Sequence, residues 1–389
     1  MPHWTDSTKF SYSEKVALGN LIKQKESLLA LGLTLAFLGL HLVVIGQPAE
    51  LMFDEVHYVK EARSILAGGG LLHPEHPSLG KLFICAGIRL FGDNPFGWRI
   101  FSVLFGVASI LLFYLLCRRL APKGAIPLLA TFAFSFENLN FVQSSIAMLD
   151  VYSLTFMLAS FWLYLRRNYL AAGLLLALSA SAKLPGAFGA LVIGAHFLLS
   201  RGKSEGYSGG IKFLLSAPLS FLALMPLFDL LATGQLLPPW ERVRSMLSTS
   251  LSLTLETTTH GAISRPWEWI VIPRWVTYWC HPRYLAAISW NLWVFIIPLM
   301  GYMSYRLRRD NLCLFSLLWF AGTYLIWIPL ELITHRIMFL FYFYPTIGAL
   351  CLAAGLCLGG LWKLRWGRPL AVVWMLSHLA AFLLLGPLL

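Results

Sequence analysis

Apolar stretches, most of them close to the length of a membrane span, dominate the chain and are separated by short polar breaks. They fall at about 28–46, 97–117, 124–140, 145–165, 169–182, 184–199, 213–231, 285–303, 312–330, 336–358 and 369–388. A helix of ~20 apolar residues crosses the hydrocarbon of a bilayer, so the pattern predicts an all-α polytopic membrane protein with about eleven transmembrane helices. Two regions are short for that task. Residues 124–140 end in the polar run Glu137-Asn138-Leu139-Asn140, and 169–199 form a hairpin broken at Lys183-Leu184-Pro185-Gly186. Short spans facing one side predict a recessed cavity there. Ahead of the first span lies a polar segment, 1–27, with no cleavable-signal pattern. The rest, 28–389, reads as one membrane domain with two long loops, 47–96 and 232–284. In the first loop, Ser78–Leu90 is apolar on helical spacing with Lys81 and Arg89 as polar points, which predicts a helix lying in the interface. The second holds Trp240, Trp267, Trp269, Trp275 and Trp279, and tryptophan prefers the headgroup level.

Composition agrees with the pattern. Hydrophobic residues make up 58% and charged residues 12%, against about 25% charged in a soluble domain, and mean hydropathy is +0.70. The net charge of +12 needs no nucleic-acid partner. With the N-terminus inside, Arg118-Arg119, Arg166-Arg167, Arg308-Arg309 and most other Lys and Arg fall on the cytoplasmic side, and most acids fall outside, as membrane topology favours. The C-terminus and both long loops are then expected on the outer face of a cell membrane. Six cysteines without a C-x-x-C pair read as small apolar residues.

Against this apolar background, Asp54-Glu55 stand just beyond the first span, followed by His76-Pro77-Ser78-Leu79-Gly80-Lys81. Ionisable groups beside a bilayer are costly and mark chemistry or transport. A transporter or flippase of a polar or lipid-linked solute is the alternative reading. It calls for charges near the midplane and broken helices in paired halves; here the charges gather at one face and no internal repeat is visible. His57, His73, Glu75 and His76 have no firm metal-ligand spacing, and neither a metal nor another cofactor is expected.

Phe53-Asp54-Glu55-Val56-His57-Tyr58 and His76-Pro77-Ser78-Leu79-Gly80-Lys81 resemble the DE-x-H and HPPLGK motifs of the protein O-mannosyltransferases, with Ser78 in place of the second proline. Further resemblances follow in family order. They are Arg99 in Trp98-Arg99-Ile100-Phe101-Ser102, Met148-Leu149-Asp150, Ser181-Ala182-Lys183-Leu184-Pro185-Gly186, Ser264-Arg265-Pro266-Trp267-Glu268-Trp269, and the segment Arg336 to Pro345. Phe343 stands where eukaryotic members often carry histidine, so the bacterial branch is the nearer match.

The resemblance implies a GT-C membrane glycosyltransferase. Such an enzyme moves a sugar, mannose by family default, from a polyprenyl-phosphate carrier to an acceptor hydroxyl at the outer face, with inversion. The acceptor would be Ser or Thr of a protein, a lipid or a glycan. Its partners would be that donor, the acceptor and membrane lipids, with no nucleic acid. Asp54 would be the base that takes the hydroxyl proton, unless it is only a helix cap, and Glu55 would assist it. Arg99, Lys183 and Arg336 would hold the departing phosphate; simple snorkelling to headgroups is the plainer fate for any one of them. His76 and Lys81 would shape the loop or touch substrate, Asp150 would line the cavity or be a paired structural acid, and Trp267 would stack on a sugar face or anchor the loop at the interface.

Overall fold

The structure is a computed structural model that describes residues 12–122, 124–200, 206–254 and 261–389, with side chains described from residue 24. Residues 1–11 of the expected cytoplasmic segment, with the inner-side cations Lys9, Lys123, Arg201 and Lys203, lie outside the described residues.

Helix α1 (Tyr12–Val44) contains the first apolar span. The first long loop folds into α2 (Glu55–Leu66) and α3 (Leu79–Phe91), the second of these covering the stretch where helical spacing predicted a helix. The next helix, α4 (Pro95–Leu120), starts where sequence demands a start: the Asn94 side chain accepts from Gly97 N–H, and Pro95 occupies the first turn, where no N–H is missed. Helix α3 lies directly on that start. A Cβ on Gly87 would stand 2.1 Å from the Gly97 carbonyl oxygen, so only glycine permits the approach.

There follow α5 (Ile126–Ser135), α6 (Asn138–Ser145), α7 (Leu149–Leu165) and α8 (Tyr169–Ala182). Between α6 and α7 the chain turns by 117°. A 3-10 turn, Leu184–Phe188, leads into α9 (Gly189–Ser200), and then come α10 (Ser208–Thr233) and α11 (Pro239–Ser252). Helix α7 packs between α4 and α8, and α8 packs on α10.

The second loop departs from an all-helical expectation. After α12 (Glu268–Val271), strands β1 (Trp275–Trp279) and β2 (Tyr284–Ala287) pair antiparallel. Trp275-Val276-Thr277-Tyr278-Trp279 is a run of aromatic and β-branched residues, which suit a pleated surface, and burial along it alternates. The expected span 285–303 therefore begins as a strand and becomes helical only at α13 (Trp290–Trp293) and α14 (Ile296–Arg306).

Helices α15 (Asn311–Phe320) and α16 (Trp327–Thr334) join through a π-helical turn, and α17 (Ile347–Trp362) and α18 (Gly367–Leu385) complete the chain. Arg336 does not open a helix. Its backbone bridges Thr254, that of Phe339 bridges Ile263, and a 3-10 turn at Leu340–Thr346 precedes α17. Among the described residues, six helices are long and apolar enough to cross a membrane, or seven if α6 and α7 form one bent span, and three shorter apolar helices accompany them. The π-helical turn and the 3-10 turn keep two expected spans continuous; a broken, bent or short helix stands at most of the others.

Candidate active site

Phe53 takes a left-handed backbone, φ 49°, a conformation that a bulky residue holds only under local constraint. Its ring stacks on Tyr278 at 4.2 Å and meets Phe341 edge-on at 5.6 Å. Asp54 follows at the N-cap position of α2, yet its side chain makes no capping hydrogen bond. It lines a cavity of about 370 Å³ together with Tyr58, Glu75, His76, Lys183, Arg336 and Tyr342. Burial pushes the Asp54 carboxyl up to about 6; the Lys183 charge opposes that rise and the Asp150 charge adds to it.

Lys183 ends α8 in an extended conformation. Its Nζ donates to Asp150 Oδ2 at 2.6 Å and lies 5.2 Å from the Phe341 ring centre and 5.7 Å from that of Tyr342. Asp150 thus holds Lys183; it is not among the residues that line the cavity. Arg336 reaches the same cavity from the extended segment before the last two long helices. Its Nε is buried without a hydrogen-bond partner among the described residues, a donor waiting for an acceptor. His76 lies beside both cations, with Nε2 3.3 Å from Tyr58 Oη. Burial, reinforced by Lys183, holds its imidazole well below the usual range and so neutral.

A second cavity of about 230 Å³ shares Glu75, His76, Lys183, Arg336 and Tyr342 with the first. Its other walls are mainly apolar and include Leu184, Pro185, Phe188, Leu247 and Trp327. Polar and apolar compartments therefore meet at the two cations.

Four more of the sequence's candidates lie elsewhere: Arg99, Glu55, Lys81 and Trp267 line neither cavity. Arg99 is fully buried, and all five of its N–H groups are used: two on the Glu55 carboxylate at 2.9 Å, and three on the carbonyls of Ile45, Pro48 and Glu50. A guanidinium has five donors, so none remains for a phosphate. Glu55 also accepts from the N–H groups of Met52 and Ala147. It ties the first loop to the bend between α6 and α7 and leaves the cavity to Asp54. Lys81, fully buried, donates to Glu61 at 2.8 Å and to the His73 carbonyl at 2.6 Å; it braces the loop and does not meet the cavity. Trp267 lies under Arg265 at 5.4 Å and lines neither cavity.

The structure also brings in residues the sequence reading passed over. Tyr58, Phe341 and Tyr342 wall the polar cavity; the last two sit inside the Arg336–Pro345 match, where only Arg336 was singled out. Asp229, fully buried at the end of α10, accepts from Ser78 Oγ and from Arg242, and Arg242 donates to the carbonyls of Pro74 and His76. An acid within an apolar span was the available signal.

Comparison with known proteins meets this geometry. The family described as "Dolichyl-phosphate-mannose-protein mannosyltransferase" matches residues 91–201, the stretch that carries Arg99, Asp150 and Lys183. A polyprenol-phosphate-mannose–protein mannosyltransferase of Mycolicibacterium smegmatis is 31% identical over 126 residues, 30% of this chain and 24% of that protein. An undecaprenyl phosphate-alpha-4-amino-4-deoxy-L-arabinose arabinosyl transferase of Pseudomonas paraeruginosa is 34% identical over 126 residues, 30% of this chain and 23% of that protein. The match thus spans about a quarter of each relative. The structure of the S. cerevisiae protein O-mannosyltransferase complex bound to the sugar donor superimposes with a TM-score of 0.79, covering 94% of this chain and 90% of that one at 14% identity. Residues 91–201 thus match the dolichyl-phosphate-mannose-protein mannosyltransferase family, within a chain that has the fold of the solved O-mannosyltransferase.

Proposed function

We propose that this chain transfers a sugar, with mannose the first donor to test, from a polyprenyl-phosphate carrier to an acceptor hydroxyl at the outer face of the membrane. The observation that carries this reading is the meeting of Asp54, Lys183 and Arg336 in one polar cavity that shares Lys183 and Arg336 as walls with a mainly apolar one. A lipid-linked sugar phosphate has the same division: a polar head, an anion, and a hydrocarbon tail.

In this reading the phosphate lies between Lys183 and Arg336, the carrier chain runs along Leu184, Phe188, Leu247 and Trp327, and the sugar faces Asp54. The acceptor oxygen attacks the anomeric carbon and gives its proton to Asp54. The bond from that carbon to the phosphate oxygen breaks, and the anomeric centre inverts. The charge left on the phosphate is held by two fixed cations in a site poor in water, where such charges interact strongly. A carboxyl with a pKa near 6 is ionised at neutral pH yet basic enough to accept a proton in the transition state. Neutral His76 competes with neither cation for the anion and can hydrogen-bond a sugar hydroxyl. Relatives named for mannose and for an aminoarabinose make those two the donors to compare, each with peptide, lipid and glycan acceptors.

The purified protein is expected to consume one of these donors and release polyprenyl phosphate; retention of both, by folded protein with every acceptor, would sink the reading. Arg336→Gln is expected to raise KM for the donor or lower kcat, together by about tenfold to a hundredfold, the worth of one charge-assisted hydrogen bond, with Arg336→Lys recovering part. Asp54 also sets a pH limb. Activity should climb about tenfold per unit up to pH ~6 and then level off, because the free base must be ionised. Lys183 favours the carboxylate, so Lys183→Met should move the limb to higher pH. A limb that stays in place would separate Asp54 from Lys183.

A further inference from the structure

The end of the bundle that carries Arg118-Arg119 and Arg166-Arg167 has its own paired cavities. Arg119 lies twenty residues along α4 from Arg99, about 30 Å at the rise of a helix, so this region is far from Asp54. A polar cavity of about 330 Å³ is lined by Arg119, Tyr164, Arg167, His196, Ser200 and Asn311, with no carboxylate among the described residues of its walls. Asp310, the acid next in sequence, is taken up by the Leu312 N–H and by Arg306. The back wall is fixed: His196, buried, joins Tyr164 Oη at 2.8 Å through Nδ1 and Asn311 Oδ1 at 3.0 Å through Nε2. Arg119 hydrogen-bonds the described residues only from Nε, to the Leu165 carbonyl. Arg167 holds φ 63° just past the end of α7, a left-handed position that glycine usually fills, so a cation is kept where a smaller residue would be easier.

Joined to it through Tyr164, Tyr169 and Phe197 is an apolar slot of about 200 Å³ between α9 and α10, with Ile193, Gly194, Ile211 and Leu214 on its walls. Ile211 and Leu214 are exposed on the outer surface of the bundle, so the slot meets the lipid. A basic polar chamber continuous with a hydrocarbon-lined slot fits one kind of molecule, a membrane lipid with an anionic phosphate headgroup.

We propose that this composite cavity binds an anionic phospholipid, its phosphate at Arg119 and one acyl chain in the α9–α10 slot. The site is separate from the donor cavity and does not depend on the transfer reaction. The chamber recognises the phosphate by charge-assisted hydrogen bonds, and the slot selects a tethered phosphate over a free one.

The test titrates the purified full chain in detergent and counts bound molecules by native mass spectrometry. Three probes separate the sources: phosphatidylglycerol, diacylglycerol, which has the tail without the phosphate, and inorganic phosphate, which has no tail. Phosphatidylglycerol should bind with the highest affinity, and Arg119→Gln should weaken it about tenfold. Gly194→Leu fills the slot directly, since a Cβ there meets nothing within 4 Å, and leucine favours the helix over glycine; it should also weaken phosphatidylglycerol about tenfold or more in a protein that folds normally. Arg308→Gln with Arg309→Gln, exposed cations of another loop, should leave affinity unchanged, as should Arg336→Gln in the donor cavity. Wild-type affinity in Arg119→Gln or in Gly194→Leu overturns the proposal. So does inorganic phosphate or diacylglycerol binding as tightly as the phospholipid.

Discussion

Asp54→Asn is expected to lower sugar transfer by at least about a hundredfold, the range a positioned general base contributes, while the protein stays folded. The amide keeps the shape of the side chain and cannot take the acceptor proton. Stability gives the opposite sign, and this separates catalytic from structural roles. The Asp54 carboxyl rises from 3.8 to about 6 on folding, mainly through burial. The folded state therefore holds its proton more firmly than the unfolded chain. Stability contributed by the group is present below pH ~4 and falls as pH rises toward ~6, because ionisation is then easier in the unfolded chain. Above pH 6 the wild type carries a partly buried carboxylate that hydrogen-bonds nothing else described. Asparagine removes that charge, so Asp54→Asn should unfold at the same or a higher temperature than wild type at pH 8. Loss of activity together with a fall in unfolding temperature would make Asp54 a structural residue. Full activity would assign the base elsewhere.

The sequence made one class of information plain and hid another. Long apolar runs announce membrane helices because the hydrocarbon admits little else, and α1, α4, α10 and α18 lie where the pattern places them. The break at Lys183-Leu184-Pro185-Gly186 was legible because proline and glycine punctuate any helix, and it does present Lys183 to the cavity. What was not legible depends on partners far along the chain. Glu55 and Asp54 are neighbours of identical chemistry, and only Arg99, 44 residues on, and Ala147, 92 residues on, tell them apart. The hairpin β1–β2 was hidden because its tryptophans fit an interfacial loop equally well. Arg336 was placed at a helix start because the apolar run after it is long; the backbone bridges to Thr254 and Ile263 come from a loop that periodicity cannot see. Where the pattern predicted about eleven spans, six helices among the described residues, or seven with α6 and α7 as one bent span, are long and apolar enough to cross a membrane; the shorter apolar runs end at polar or proline-containing breaks that hydropathy alone does not weigh.

Arg99→Met should be the most damaging substitution to the fold itself. It leaves the Glu55 carboxylate fully buried with only two backbone N–H groups, and frees the carbonyls of Ile45, Pro48 and Glu50 from their donor. Removing one partner of a buried ion pair costs about 3–5 kcal/mol, a large part of the stability a single domain possesses. The expected result is a marked fall in apparent unfolding temperature and in the fraction of monodisperse protein recovered in detergent. Activity falls because folded protein is lost, with KM for the donor unchanged in what remains. Glu55→Leu added to Arg99→Met should restore part of the stability, since replacing both members of a buried pair by apolar residues spares the lone charge. Activity need not follow, because Glu55 also anchors Ala147, three residues before the Asp150 that holds Lys183. In the proposed reaction this coupling gives the Asp-Glu pair a division of labour: Asp54 lines the cavity, and Glu55 fixes the bend that leads to Asp150, the partner of Lys183. An Arg99→Met protein that keeps its unfolding temperature and shows only a raised KM would return Arg99 to the phosphate site and undo that division of labour.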